Sequence, residues 1–179
     1  EESRLVFIRE VLPRKSTYKH QKYREKYPNS PMELESKEAE FLLAWGSPNT
    51  RPNLKSCLQF KETYSDWDLF KNIRTKYIQL EASAWYQEKT NIQNSIQAHK
   101  FFQKTYTEAK EIATSRLKLV ELEFNHAQKV DTENAYLKFK TDYRFWREAD
   151  QYQNLAHKFA ARSSLNHIVS HRLIDQINH

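Results

Sequence analysis

Apolar residues recur three and four positions apart along most of this chain. Trp67, Phe70, Ile73, Tyr77, Leu80 and Ala84 form one stripe. Ile112, Leu117, Val120, Phe124 and Ala127 form a second, and Ala149, Tyr152, Leu155, Phe159 and Ala160 a third. That spacing lays one apolar face along each of three long helices. A shorter helix precedes each: one carrying Leu54, Cys57, Leu58 and Phe60, one over residues 92–106, and one after Asp131-Thr132. The apolar run 4–12 stops at Pro13 and fits a short helix or a strand equally. Residues 16–27 are polar and basic and end at Pro28. Ser30-Pro31-Met32-Glu33 predicts a capping box, with Pro31 at the first helical position, opening a helix that runs to Trp45. Gly46 is placed to close that helix in a left-handed conformation. Residues 46–53, with one glycine, two prolines and two asparagines, predict a loop. Ser163-Ser164 predicts the cap of a last helix with Leu165, Ile168, Val169, Leu173 and Ile177 on one side and His167 and His171 on the other. That helix reads as a cover for the end of a stack, with docking of a partner as the alternative.

A faint repeat runs through the pattern. An aromatic residue, three spacers and a tyrosine recur as Tyr23/Tyr27, Phe60/Tyr64, Phe102/Tyr106 and Phe139/Tyr143, at steps of 37, 42 and 37 residues. Cys57-Leu58-Gln59-Phe60-Lys61-Glu62-Thr63-Tyr64-Ser65-Asp66-Trp67 aligns with Tyr136-Leu137-Lys138-Phe139-Lys140-Thr141-Asp142-Tyr143-Arg144-Phe145-Trp146, with Leu, Phe, Lys, Tyr and Trp identical. A small residue stands four before the aromatic at Ser56, Ala98 and Ala135. Leu80-Glu81 and Leu122-Glu123 form a second echo. A period of this length points to stacked helical hairpins.

Ala82-Ser83-Ala84-Trp85-Tyr86, followed by Ala98 and Phe102, resembles the tetratricopeptide repeat. There a tryptophan opens the first helix, and a small residue four before an aromatic admits the second. Ala135 with Phe139 matches the second half, and Ser56 with Phe60 more weakly. The resemblance spans residues 30–162. It departs at Lys89, where the family has glycine, in the shorter distance from Trp85 to Ala98, and in a period above the usual repeat of about 34 residues. The resemblance implies a protein-binding superhelix with a concave groove and no chemistry of its own.

One Gly and five Pro in 179 residues supply too little turn chemistry for an all-β chain. A hydrophobic content of 39%, including 13% aromatic, supports a core despite a mean hydropathy of -0.92. One cysteine excludes an internal disulfide framework, which suits an intracellular setting, cytoplasmic or organellar (mitochondrial included). No apolar run has the length of a membrane span. A chain that begins at Glu1 reads as a segment of something longer or as a mature form without its targeting segment.

The net charge of +6 is concentrated near one end. Arg14, Lys15, Lys19, Lys22, Arg24 and Lys26 fall within thirteen residues, with Glu25 the single acid among them and Tyr18, Tyr23 and Tyr27 interleaved. Such a stretch fits an acidic protein surface or an anionic membrane face, or phosphates with tyrosines stacking on unpaired bases. The plain alternative is a solvated helix face whose tyrosines are core. Glu33, Glu35, Glu38 and Glu40 follow at once and offer an intramolecular match. Lys15, Tyr18, Lys19, Lys22, Arg24 and Lys26 are the candidate partner-binding residues.

Signals for catalysis are weak. His167 and His171 have the i, i+4 spacing of a metal pair but lack a third ligand and the glutamate of a metalloprotease helix, so surface histidines are expected. Asp66/Asp68 and Glu121/Glu123 are two apart and point to different sides of a helix. Asp68 suits a helix N-terminus. Cys57 lies on an apolar stripe, as a buried thiol does. A single glycine leaves no phosphate loop.

The sequence thus predicts an all-α fold of about nine or ten helices in stacked hairpins, with an irregular helical bundle as the alternative. Its expected organisation is a basic segment over 1–29, helical repeats over 30–162 and a terminal helix over 163–179. The expected function is a non-enzymatic protein–protein interaction or scaffold module, a subunit or domain of a larger assembly, with no cofactor. A basic RNA- or nucleoprotein-associated subunit is the alternative.

Overall fold

The computed structural model describes residues 1–177, with side chains through Ser170 and at Arg172. The described residues are predominantly helical and contain no strand. They fall into two compact units, Glu1–Glu88 and Lys89–His179.

In the first unit, helix α1 (Glu2–Val6) runs directly into a π-helical turn, Phe7–Val11, and a 3-10 turn, Leu12–Arg14. The ambiguous run 4–12 is therefore helix. Lys15 at φ 41 turns the chain into α2 (Thr17–Lys26), which is followed by α3 (Glu33–Thr50), α4 (Leu54–Tyr64) and α5 (Asp68–Trp85). The short connections make α2/α3 and α4/α5 hairpins, and α3 packs on both α4 and α5. Phe60 is the hub of the core. Its ring centroid lies 5.4 Å from Phe41, 5.3 Å from Trp45 and 5.1 Å from Tyr64. A smaller cluster of Phe7, Val11 and Tyr23 holds α1 and its π turn against α2.

Three sequence expectations fail here. Helix α3 does not stop at Trp45. It continues through Gly46 and Pro48 to Thr50, so residues 46–50 are helix and Gly46 does not adopt a positive φ. Pro48 removes one backbone donor, but its ring is fully buried, and that tertiary contact outweighs the local breaker. The capping box does not form either. Ser30 Oγ lies 2.6 Å from Tyr23 Oη and accepts from the Met32 amide, while Glu33 pairs with Lys37 at 2.9 Å. Finally, no helix begins at Ser163. Helix α10 (Asp150–Ile177) passes through it unbroken, and Ser163 Oγ donates to the Asp131 carbonyl at 2.9 Å.

A second π turn, Tyr86–Thr90, and the single-turn α6 (Asn91–Gln93) lead to the helices of the second unit. These are α7 (Ile96–Thr105), α8 (Ile112–Val130), α9 (Glu133–Asp142) and α10. Ser95 and Thr132 cap α7 and α9 through their side chains. The core gathers Val120, Phe124, Tyr136, Phe139, Tyr143 and Ala156. Leu117 and Leu155, expected on the apolar stripes, are largely exposed, as is Leu58 in the first unit. Ser115, Leu119 and Ala156 are buried in the second unit.

Local geometry recurs 79 residues on. The π turns start at Phe7 and Tyr86, and the left-handed residues that follow are Lys15 and Asn94. The Tyr64–Trp67 edge-to-face pair at 5.0 Å reappears as Tyr143–Trp146 at 5.1 Å. Trp67 and Trp146 each hold the N-cap of the following helix. Side-chain volume is redistributed within this plan. Tyr77 on α5 donates to the Cys57 carbonyl of α4 at 2.8 Å. At the matching places the second unit has Ala156 and Tyr136, with the large ring moved to the other helix.

Gly46 provides a test of the helix through residues 46–50. A methyl group added there meets nothing within 4 Å. Gly46→Ala should therefore raise stability by about 1 kcal/mol, read from the urea midpoint. A loss of stability would place Gly46 in a left-handed turn instead.

Candidate interaction surface

Helix α2 carries two chemically different sides. His20 and Tyr23 are buried and face Phe7, with ring centroids 5.9 Å and 5.2 Å away. The Tyr23 hydroxyl donates to the Ser3 carbonyl at 3.0 Å, and the half-buried Tyr27 donates to Glu2 at 3.3 Å. Two of the three interleaved tyrosines are therefore structural. Tyr18 is the exposed one, at 59%.

Lys19, Lys22 and Lys26 lie at i, i+3 and i+7 and so share one side of α2, on which Lys22 and Lys26 are exposed and Lys19 is half-buried. Lys22 pairs with Glu25 at 2.5 Å and lies 5.9 Å from the Tyr18 ring. Lys26 sits 5.1 Å from the Tyr27 ring. Lys15 stands just before the helix and is exposed. Arg24 is the exception among the six candidates. It points inward, ion-paired to the buried Glu40, with its guanidinium 5.6 Å from the Trp67 ring. The intramolecular match with the acidic segment is thus realised through Glu40.

Glu40 is the focus of a buried polar network. Besides Arg24, its carboxylate accepts from Gln21 at 3.1 Å and from the Tyr64 hydroxyl at 2.9 Å. Burial and the neighbouring carboxylate push the Tyr64 phenol well above its ordinary pKa. In the second unit Glu123 accepts from Tyr143 at 3.1 Å and pairs with Lys100 at 2.6 Å. Burial, then Glu123, raises the Tyr143 pKa in the same direction. Each unit also holds a buried histidine bonded to a buried serine. His20 Nδ1 is 3.2 Å from Ser36 Oγ, and His99 Nδ1 is 3.1 Å from Ser115 Oγ. Burial lowers both histidine pKa values. Arg24 adds to this at His20 while Glu40 opposes it, and Lys118 adds to it at His99. Sequence reasoning missed these serines, although His and Ser recur at matching places sixteen residues apart.

Cys57, Asp68 and Glu121 are each buried or paired. Burial pushes the Cys57 thiol up to about 11, which leaves scant thiolate at neutral pH. Asp68 pairs with Lys71 at 2.8 Å at the start of α5, and Glu121 pairs with Lys118 at 2.9 Å. Among the described residues no three His, Cys, Asp or Glu side chains converge to hold a metal. His167 lies on an exposed stretch of α10, whereas the side chains of His171, Leu173 and Ile177 lie outside the described residues. No helix is long and apolar enough to cross a membrane among the described residues. No protein-family model, curated protein or solved structure matches this chain. The functional reading therefore rests on its own side chains.

Two measurements test the network. Glu40→Ala leaves a largely buried guanidinium unpaired and should cost about 3–5 kcal/mol in denaturant unfolding. Glu123→Ala, which removes a half-exposed lysine pair and the acceptor of the buried Tyr143 hydroxyl, should cost about 2 kcal/mol. The histidines set a pH dependence. The unfolded chain protonates them near 6.5, above the pKa of the folded forms, so their contribution is complete above that value and is lost as pH falls through it. The melting temperature should drop between about pH 7.5 and about pH 5, and the drop should be shallower in His20→Gln/His99→Gln.

Proposed function

We propose that this chain is a non-catalytic protein–protein interaction module built of divergent, tetratricopeptide-like helical hairpins, and that it serves as a subunit or domain of a larger assembly. The partner surface is the outer side of α2, with Lys15, Tyr18, Lys19, Lys22 and Lys26, and it suits an acidic protein face. The carrying observation is that this side departs from the plan common to both units. The residues in the buried networks recur 79 positions on: His20 as His99, Ser36 as Ser115, Phe60 as Phe139, Tyr64 as Tyr143 and Trp67 as Trp146. At the places of Lys15, Lys19, Lys22 and Lys26, helix α7 and its approach have Asn94, Ala98, Phe101 and Thr105. The lysines are therefore not required to form this kind of hairpin. Their conjunction on one side, beside an exposed tyrosine, supports recognition of negative charge. The single cysteine, buried at position 57, suits an intracellular setting.

Charge reversal at Lys15, Lys19, Lys22 and Lys26, with Arg24 left in place, should abolish capture of the partner from native extract while the circular dichroism spectrum is unchanged. Capture that survives nuclease supports the protein-binding reading. Recovery dominated by RNA or DNA and lost on nuclease treatment would replace it with the nucleoprotein reading, and steep weakening with salt would accompany that result.

A further inference from the structure

The two units turn the same corner with opposite decoration. In the second unit a short connection joins α9 to the 3-10 turn Arg147–Ala149 that precedes α10. There the Trp146 amide donates to the Tyr143 carbonyl at 3.0 Å, as the Trp67 amide donates to the Tyr64 carbonyl at 3.1 Å in the first unit. Around this shared tryptophan the first unit has Ser65, Asp66 and Asp68, and the second has Arg144, Phe145 and Arg147 at the matching places. The corner therefore needs the tyrosine and the tryptophan, and it forms equally well with two acids as with two arginines and a phenylalanine.

Phe145 is 83% exposed, more than any other large apolar side chain among the described residues. The Arg144 guanidinium lies 4.3 Å from its ring centroid and covers one face, which leaves the other to solvent. On α8, the Arg116 guanidinium lies 5.4 Å from the Trp146 ring. None of Arg116, Arg144 and Arg147 is ion-paired among the described residues, although acids are close in sequence. Asp142 pairs instead with Lys138 at 2.6 Å, and Glu148 and Asp150 stand on the turn that follows. The first unit has Lys37 at the place of Arg116, and that lysine is taken up by Glu33 at 2.9 Å. The backbone that carries Phe145 is pinned on both sides. Tyr143 and Trp146 meet edge to face at 5.1 Å, and the Tyr143 hydroxyl is held by Glu123 at 3.1 Å.

We propose that residues 144–147, with Arg116 beside them, bind single-stranded nucleic acid, one base stacking on the open face of Phe145 while Arg144 and Arg147 hold phosphates. The occupant must offer a flat apolar face and negative charge within a few ångströms of each other. A nucleotide joins both in one unit. An acidic protein surface matches the arginines but needs a separate apolar pocket for the ring, and a duplex keeps its base faces stacked away. A guanidinium resting on a ring still presents its in-plane N–H groups, so Arg144 can engage a phosphate without leaving Phe145. This site stands beside the interaction-module reading and does not depend on it.

The probe is a fluorescein-labelled oligothymidylate of about ten nucleotides, titrated with the full chain by fluorescence anisotropy at low salt. It should bind, and a duplex of the same length should bind more weakly. Phe145→Ala should weaken binding at least about fivefold, and Phe145→Trp should keep it. Arg144→Gln/Arg147→Gln should reduce the slope of log affinity against log salt by about 1. These side chains are exposed, so the variants should keep the parent melting temperature. Absence of binding, binding that Phe145→Ala leaves unchanged, or a duplex that binds as tightly as the single strand overturns the proposal. Displacement by poly-glutamate as readily as by unlabelled oligothymidylate overturns it in favour of an acidic protein. Charge reversal on α2 should leave the effect of Phe145→Ala intact, which separates this site from the lysines of α2.

Discussion

A carboxylate on the long helix of the first hairpin in each unit accepts a tyrosine hydroxyl from the second hairpin and a cation from the first. Glu40 does this with Tyr64 and Arg24, and Glu123 with Tyr143 and Lys100. Three helices meet at one polar point, and that point lies beside an aromatic core that would otherwise tolerate sliding. Apolar contacts are non-directional, so rings such as Phe41, Phe60 and Trp45 fill space without choosing a register. The hydroxyl-to-carboxylate bond chooses it. The carboxylates do not occupy matching places, since Leu119 stands where Glu40 would recur and Ala44 where Glu123 would. The constraint is thus a meeting of groups in space, reached from either of two helical turns on the same side.

The same freedom appears in the core. Cys57 and Tyr77 fill the volume that Tyr136 and Ala156 fill in the second unit, with ring and small side chain exchanged between facing helices. Total volume is kept while its source changes. Recurrence is then most informative where it survives such exchange, as in the His–Ser bonds and the tyrosine–tryptophan corners. Positions that fail to recur, and that have no compensating neighbour, are free of this constraint. The outer side of α2 is of that kind.

Helix content, the long stripes on α5, α8 and α10, and the aromatic–tyrosine pairs were legible in sequence because they depend on three- and four-residue spacing alone. The steps of 37 and 42 residues were legible too, and the π turns and two of the left-handed residues recur at their sum, 79. Arg24 was grouped with the surface lysines because its partner, Glu40, is sixteen residues away on another helix. The burial of Ser36 and Ser115 was hidden for the same reason, as a serine within a helical pattern normally marks a polar side. His20, Ser36, His99 and Ser115 together carried the available signal: one spacing, twice. The helix through Gly46 and Pro48 was illegible because its cause is the burial of the proline ring by residues distant in sequence.

One turn in this chain runs against local chemistry. Its single glycine lies inside a helix, and among the described residues the positive-φ positions are Asn29, Asn94 and Asp131, of types that enter this region readily, and Lys15, which is not. A left-handed lysine costs roughly 1–2 kcal/mol relative to glycine, so Lys15 is held there by what flanks it, with Phe7 and Val11 packed on one side and His20 and Tyr23 on the other. Such a turn is fixed by tertiary packing. It leaves α2 one attitude on its hairpin, which sets Lys19, Lys22 and Lys26 in a constant array. A glycine turn would let the helix pivot and would spread those charges over many arrangements. The packing that obscures loops in the sequence is therefore the same packing that preorganises the basic surface.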